Sequence, residues 1–473
     1  MPPQSRTIHT LGGPIVFLAL LMAPLPSVPY AVRGSLGLLI WMSWWWIATP
    51  VHLAVTAFLP PAVLALFNIL PVARILPAYS EQLVFLLLGA NMLSTTWRRW
   101  GLDRRIALMS LAAIGTGTRQ QIVAWFVVAA ILSSVLPNAV VAAAMMPVVI
   151  AMLRFVGIDA IATSAFGSAL LIAVAWGTSV GGVGTPLGGA HNLLTVQFLQ
   201  DRLHHEFLFT TWVVRLLPIT LVTTLASVIF TVTALRPDRD RVEGTRTFFA
   251  QELRALGPMS MPERLGLGFF AAATLLSFTR ELYAAWLPGL TPAFAFVVFG
   301  ILSFVVRCKG DALLDWDYAE KHMVWGLIFL FAGGSALGQV LSETGTARFL
   351  AEQLVPLAGN GGLLAVVVFS FIAMLLTQIT SNTAAAAIVV PITISTFDRL
   401  GLSPVPFVYI VGAAVNFGLM LPSSSAGPAI AAGYGVNLKT MFWQGAWLTV
   451  LLWVLLVSVG YLLMRFWPAF GMA

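Results

Sequence analysis

Among 473 residues the sequence holds one cysteine, Cys308, and only 9% of its residues are Asp, Glu, Lys or Arg. A single cysteine excludes an intrachain disulfide and a thiolate metal cage. Charge at so low a level, against about 25% in soluble domains, excludes a fully water-exposed globular surface. No H-E-x-x-H, P-loop or Cys/His cluster occurs, which removes catalytic-metal and nucleotide-motor classes. The apolar segment from Pro14 to Pro26 lacks a basic start followed by an A-x-A site, so the first span is expected to be retained. What remains is apolar: 59% hydrophobic residues and a mean hydropathy of +0.92. Runs long enough to cross a bilayer, roughly 17 to 25 residues each, recur from the first segment to the C-terminal end. The expected fold is an all-α polytopic membrane protein with about 11 transmembrane helices.

The formal charge is +7. Its arginines gather in short connections between spans, where cytoplasmic loops collect them, so the partner is the lipid bilayer and no nucleic acid is expected. The tryptophans of 41-WMSWWWI-47 read as an interfacial anchor.

Two distant stretches align without gaps. 85-FLLLGANMLSTTWRRWGLDRRIA-107 overlays 329-FLFAGGSALGQVLSETGTARFLA-351, and 138-NAVVAAAMMP-147 overlays 382-NTAAAAIVVP-391, both at an offset of 244. The chain therefore reads as two copies of one unit, residues 1–235 and 263–473, joined by a polar linker over 236–262. The first connection carries Arg98, Arg99, Arg104 and Arg105, whereas its counterpart holds Glu343 and Arg348. By the positive-inside rule the first faces the cytoplasm and the second does not, which inverts one copy relative to the other. A parallel repeat stands as the alternative. Inverted repeats mark many secondary transporters, with sites at the midplane built from interrupted helices.

Each copy also contains an apolar run, a polar tip with an Asn, an Ala-rich run and then Pro. Re-entrant hairpins are expected near 119–138 and 361–382, and broken helices near 177–192 and 418–435. Irregular backbone at membrane depth is tolerated only where protein buries it or water reaches it. In 376-LTQITSNTAAAAIVVPI-392, uncharged hydroxyls and amides, with the free N–H groups of a helix start, suit a negative solute and leave carbonyl oxygens for a small cation. The competing interpretation is that Asn138 and Asn382 simply cap helices.

With these elements in view, the chain resembles the divalent anion/sodium symporter family over most of its length. The resemblance rests on 44-WWWIATPVHLAVTAFLPPAVLAL-66, on 85-FLLLGANMLSTTWRRWGLDRRIAL-108 and, most specifically, on 380-TSNTAAAAIVVP-391. It implies that Ser381, Asn382 and Thr383 contact a substrate carboxylate, with Ser425 adding a hydroxyl and Asn138 and Gly189 serving from the first copy. It implies that Thr377, Thr380, Asn382 and Ser424 surround one sodium ion and that Ser133, Asn138 and Gly188 line another. It further implies a small anionic solute as cargo, a homodimer, an elevator-like motion and location in a bacterial inner (plasma) membrane. Three departures stand out: Pro137-Asn138-Ala139 replaces Ser-Asn-Thr, 188-GGAHN-192 introduces His191, and Ala48-Thr49-Pro50 lacks the family's acid. Two hydroxyls are thus missing from the first tip. Moving a dianion into a cell costs about 2.3 kcal/mol per charge at 100 mV, negative inside. Sodium symport, anion exchange and proton coupling through His191 all answer that cost. The readings carried forward are sodium-coupled dicarboxylate transport, then exchange or proton-coupled transport of sulfate or another oxyanion, then a passive anion channel. The G-x-S-x-G of 177-GTSVG-181 spells a serine-hydrolase elbow, but its strand-to-helix context is missing here. The lone His191 also reads as an ordinary hydrogen-bonding partner in a packed loop.

Overall fold

The computed structural model describes residues 3–112, 115–159, 161, 163–308 and 310–472. The strands among them are the two-residue pair Arg307–Cys308 and Asp311–Ala312, and helices dominate the rest. Seven helical stretches are long and apolar enough to cross a bilayer, and five shorter apolar helices of 10 to 17 residues accompany them. Residues Phe166–Gly181 of the stretch Ala165–Gly184 are all buried, whereas Phe209–Ala234 is mostly uncovered. The latter exposes Val214, Leu217, Leu221, Leu225 and Ile229 along one side, as a lipid-facing helix must.

The order of elements repeats. Gln82–Trp100, Leu102–Ala112, Thr118–Val135, Asn138–Phe155, Ala165–Gly181 and Ala190–Leu203 are followed by Trp325–Glu343, Thr346–Ala358, Leu363–Ile379, Asn382–Arg399, Val405–Ala414 and Ala426–Gly433. Each hairpin is a pair of long helices that turns at a tip, Leu136–Pro137 in one case and Thr380–Ser381 in the other. The hairpins extend to Phe155 and Arg399, beyond the short spans 119–138 and 361–382 expected from sequence. Their Ala-rich second arms simply continue as helix, since Ala costs little side-chain entropy there. At 1.5 Å per residue, an arm of 18 residues is about 27 Å long. The second break begins at Val415 and ends at Ser425, earlier than the expected 418–435, and residues 426–433 are helical.

The linker is not a loose polar tether. It contains the helix Thr245–Leu256, which buries Phe248 and Phe249 and exposes Arg246 and Arg254. Its backbone meets the first hairpin through Thr118 N to Asp240 O (3.0 Å) and Val242 N to Thr116 O (2.9 Å). Arg105 closes this end by pairing with Glu263 while donating to the carbonyls of Leu256 and Gly257. Glu81, before Gln82–Trp100, accepts from Ser335 Oγ (2.9 Å) and Gln339 Nε2 (2.8 Å) on the matching helix of the other half. The tryptophans of 41-WMSWWWI-47 also join the helices Pro3–Met22 and Tyr30–Ala48. Trp46 is buried, Trp45 Nε1 donates to Thr10 O (3.1 Å), and Trp41 packs on Phe17.

Candidate functional site

The two hairpin tips meet the two helix breaks, and the contacts are the same in both halves. Ser133 Oγ donates to Thr178 O (2.8 Å), at the end of the helix Ala165–Gly181. Thr377 Oγ1 donates to Val415 O (2.7 Å), at the end of Val405–Ala414. Five residues after each hydroxyl stands the tip Asn. With its amide nitrogen turned inward, Asn138 donates to Ser133 Oγ (2.6 Å), Thr178 O (3.1 Å) and Gly188 O. Asn382 donates likewise to Thr377 Oγ1 (2.8 Å), Val415 O (3.1 Å) and Ser424 O (2.9 Å). The amide orientation is an inference from this hydrogen-bond network.

Neither Asn is a cap. Ser381 caps its helix, its Oγ accepting from Ala384 N (3.2 Å), and Pro137 occupies the corresponding place in the first half without a side-chain cap. The two amides are buried, at 7% and 5% exposure, yet each faces three oxygens with one amide end. Turned over, each amide oxygen joins one hydroxyl oxygen and two backbone carbonyls. Four uncharged oxygens at a helix break are the donor set that transporters offer a hard monovalent cation. The residues present therefore fit sodium by donor chemistry in both halves.

The hydroxyls missing at Pro137 and Ala139 are not part of this set. In the second half the equivalent hydroxyls belong to Ser381 and Thr383, which flank the cage-facing Asn382 without joining its contacts. The departure at the first tip thus falls outside the first oxygen cage. Ser424 enters the second cage through its carbonyl, because its hydroxyl donates to Leu421 O (2.6 Å). The Thr380 hydroxyl, at the tip, is buried without a hydrogen-bond partner. Ser425 lies beside the other half, its Oγ 3.1 Å from Ser179 Oγ and donating to Gly418 O (3.2 Å). Ser179 also donates to Ala175 O (3.2 Å), a structural use of the G-x-S-x-G serine.

Glycine is required where a loop carbonyl comes this close. A Cβ on Gly188 would stand 2.1 Å from Gly182 O, and one on Gly418 would stand 2.9 Å from the Asn382 amide and 3.1 Å from Thr377 O. Two side-chain amides brace the breaks. Asn192 Nδ2 donates to Gly182 O (2.7 Å) and Thr185 O (2.9 Å). Gln378 Nε2 donates to Phe417 O (2.5 Å), and its Oε1 accepts from Leu419 N and Met420 N, both at 3.2 Å.

Between the breaks lies a residue that sequence reasoning passed over, Asn416. Its Nδ2 donates to Asn192 Oδ1 (3.1 Å) and Gly412 O (2.9 Å), and its Oδ1 stands 2.6 Å from His191 Nε2. An amide oxygen only accepts, so Nε2 carries the proton. His191, in the first turn of the helix Ala190–Leu203, is 3% exposed and serves there as a hydrogen-bonding partner. A lone Asn at the end of the apolar run 405-VPFVYIVGAAV-415 was the available signal for Asn416.

A cavity of about 560 Å³ opens to one side of the tips and is lined by none of their residues. One wall comes from Ala190–Leu203 and Asn382–Arg399, the other from Trp325–Glu343 and its neighbours. Charges pair within each wall: Arg202 with Asp398 (2.7 Å), and Arg74 with Glu343 (3.7 Å).

A polytopic helical chain whose interrupted helices converge on uncharged oxygen clusters is a membrane transporter and not an enzyme. The chain belongs to the family described as the sodium:sulfate symporter transmembrane region, whose model matches residues 6–472. The expected kinship with the divalent anion/sodium symporters is thereby borne out. Among curated proteins it is similar to the sodium-dependent dicarboxylate transporter SdcS of Staphylococcus aureus strain bovine RF122 / ET3-1, at 29% identity, covering 97% of this chain and 91% of the relative. The SdcS of strain N315 matches to the same extent. Among solved structures, the Alcanivorax borkumensis YdaH transporter aligns with a TM-score of 0.54 at 15% identity, covering 93% of this chain and all of that one. That likeness concerns the fold.

Proposed function

We propose that this protein is a secondary active transporter that carries a small organic dianion, a dicarboxylate or a close relative, together with sodium. The observation that carries the reading is the pair of four-oxygen cages around Asn138 and Asn382. One cage uses Ser133, Asn138, Thr178 and Gly188; the other uses Thr377, Asn382, Val415 and Ser424. The cargo binds beside them, held by Ser381, Asn382, Thr383 and Ser425, with Asn138 and Gly189 across from these. The donors are neutral dipoles, so cations entering with the anion offset its charge, and the electrical cost of about 2.3 kcal/mol per charge at 100 mV is removed.

The repeated element order and the contrasting arginine counts of the two connections support two copies inverted across the membrane. The Arg202–Asp398 and Arg74–Glu343 pairs, each formed within one wall of the cavity, support a mobile body carrying hairpins and broken helices that slides along a fixed one. Alternating access by such an elevator-like motion, in a homodimer placed in a bacterial plasma membrane, completes the reading. Coupled exchange with a second anion is the rival mechanism, and sulfate or another oxyanion the rival cargo.

The test is uptake of labelled dicarboxylate by proteoliposomes, with sodium replaced by choline in a parallel series. The reading requires sodium-dependent uptake, acceleration by unlabelled anion on the far side, and loss of binding in a folded Asn382→Ala variant. Unchanged affinity in that variant removes the site. Absence of trans-stimulation makes the protein a channel.

A further inference from the structure

We infer that His191 and Asn416 are positioning residues that couple the two oxygen cages, so that a cation in one sets the geometry of the other. The inference rests on the cage assignment above and goes beyond it, because neither side chain belongs to a cage.

Val415, whose carbonyl faces Asn382, is followed directly by Asn416. Gly188, whose carbonyl faces Asn138, is separated from His191 by two residues. The 2.6 Å contact between His191 Nε2 and Asn416 Oδ1 therefore ties a ligand-bearing segment of one half to that of the other. A second strap runs parallel to it: Asn416 Nδ2 to Asn192 Oδ1, and Asn192 Nδ2 onward to the carbonyls of Gly182 and Thr185. Packing reinforces both. The imidazole fills the space where Gly189 would carry a Cβ, with ring atoms 2.2 to 3.0 Å from that position. Gly182 has no such space either, because its Cβ position lies 2.8 Å from the Asn138 amide and 3.3 Å from Asn416 Oδ1.

Every polar group in this strip is buried, so a broken link leaves a donor or acceptor that water cannot satisfy. His191 and Asn416 are 3% and 0% exposed. When a cation draws the Gly188 carbonyl inward, the loop cannot follow without moving the imidazole, and the imidazole cannot move without Asn416 and the adjoining Val415 carbonyl. This is a contiguous hydrogen-bonded link between two ligand sets, the kind of element through which binding at one site changes affinity at another. Two coupled sites allow a Hill coefficient of up to about 2.

The experiment titrates the purified full-length protein with sodium chloride against choline chloride at constant ionic strength, following thermal stability and tryptophan emission. The parent is expected to respond sigmoidally, with a Hill coefficient well above 1. His191→Ala and Asn416→Ala should lower it to about 1 and separate two half-saturation points, while His191→Gln, which keeps an amide donor for Asn416, should restore the parental curve. Folding is checked by elution profile and by stability without sodium; should Asn416→Ala not fold, the two His191 variants decide the matter. A folded His191→Ala with the parental Hill coefficient overturns the coupling, and so does a parent that responds hyperbolically. Asn382→Ala separates the two levels: an undiminished sodium response there removes the second cage and the coupling with it, whereas a response reduced there but unchanged in His191→Ala removes only the link.

Discussion

The two cages make a paired prediction through the hydroxyl that each contains. Ser133→Ala removes one oxygen of four from the first and the hydroxyl donor to the Thr178 carbonyl; Thr377→Val does the same to the second and removes the hydroxyl donor to that of Val415. Both hydroxyls are fully buried, so no water replaces them. Losing one partner of a buried hydrogen bond costs about 1–3 kcal/mol, which corresponds to roughly 5- to 150-fold weaker sodium binding if it falls on the cation-bound state. Sodium at 100 times its Kd stabilises a protein by about 2.7 kcal/mol, and a 30-fold rise in Kd reduces that to about 0.9 kcal/mol. The assay is the midpoint of thermal unfolding in purified protein across a sodium series, with choline as control. Each variant should lose most of the sodium-induced stabilisation belonging to its own cage. Sodium curves identical to the parent in both variants would refute the cage reading and leave the tip amides as plain hydrogen-bond donors. Loss in Thr377→Val alone would confine the cation to the second half.

Gly188→Ala drives a Cβ into the Gly182 carbonyl and should weaken the sodium response more than tenfold or prevent folding, whereas Gly433→Ala, with open space around it, should behave as the parent in the same titration. Glu263→Ala leaves Arg105 buried without its carboxylate. The expected loss is about 3 kcal/mol, the lower end for a broken buried pair, because the Leu256 and Gly257 carbonyls still hold the guanidinium. Chemical denaturation in detergent measures it, and an unchanged midpoint would show the pair to be dispensable. Since Cys308 is the one cysteine, a Cys308→Ser background allows single reporters. Arg104→Cys and Arg348→Cys, at partly and largely exposed positions, should react with a membrane-impermeant maleimide from opposite sides of the cell membrane. Labelling from one side would make the repeat parallel.

The repeat was legible because a hairpin tip and a kinked arm impose residue types. Asn138 and Asn382 begin their helices at the spacing found by alignment, and Pro147 and Pro391 sit inside them. Hairpin length was less legible, since an Ala-rich run offers no contrast with which to mark its end. The cages were visible only through their side chains. Thr178, Val415 and Ser424 contribute carbonyl oxygens, and a carbonyl leaves no mark on residue type; only the neighbouring glycines betray that backbone approaches there. Asn416 and Gln378 stood in plain view as amides in apolar surroundings, but assigning them needed the tertiary contact. The linker's charged residues gave no sign of its helix, which depends on buried Phe248 and Phe249.

The choice of amide over carboxylate at both tips follows from what a carrier must do in its empty state. A carboxylate facing three oxygens at membrane depth would have nothing to donate. Without a cation it would stand as an uncompensated charge, a state that costs several kcal/mol in a buried setting. On the proposed sodium reading an amide resolves the same position by rotation: its two N–H groups face the three oxygens when the cage is empty, and its oxygen would complete the cage when a cation enters. The distances support the first half of that statement directly, because both amides, as nitrogens, find three acceptors within hydrogen-bonding reach. The two states then differ by a side-chain turn and a set of exchanged hydrogen bonds rather than by exposure of a bare charge. That keeps their energies close, as a cycle that must both load and unload requires. It also explains why so apolar a chain concentrates hydroxyls and amides at its tips without a single charged residue among them.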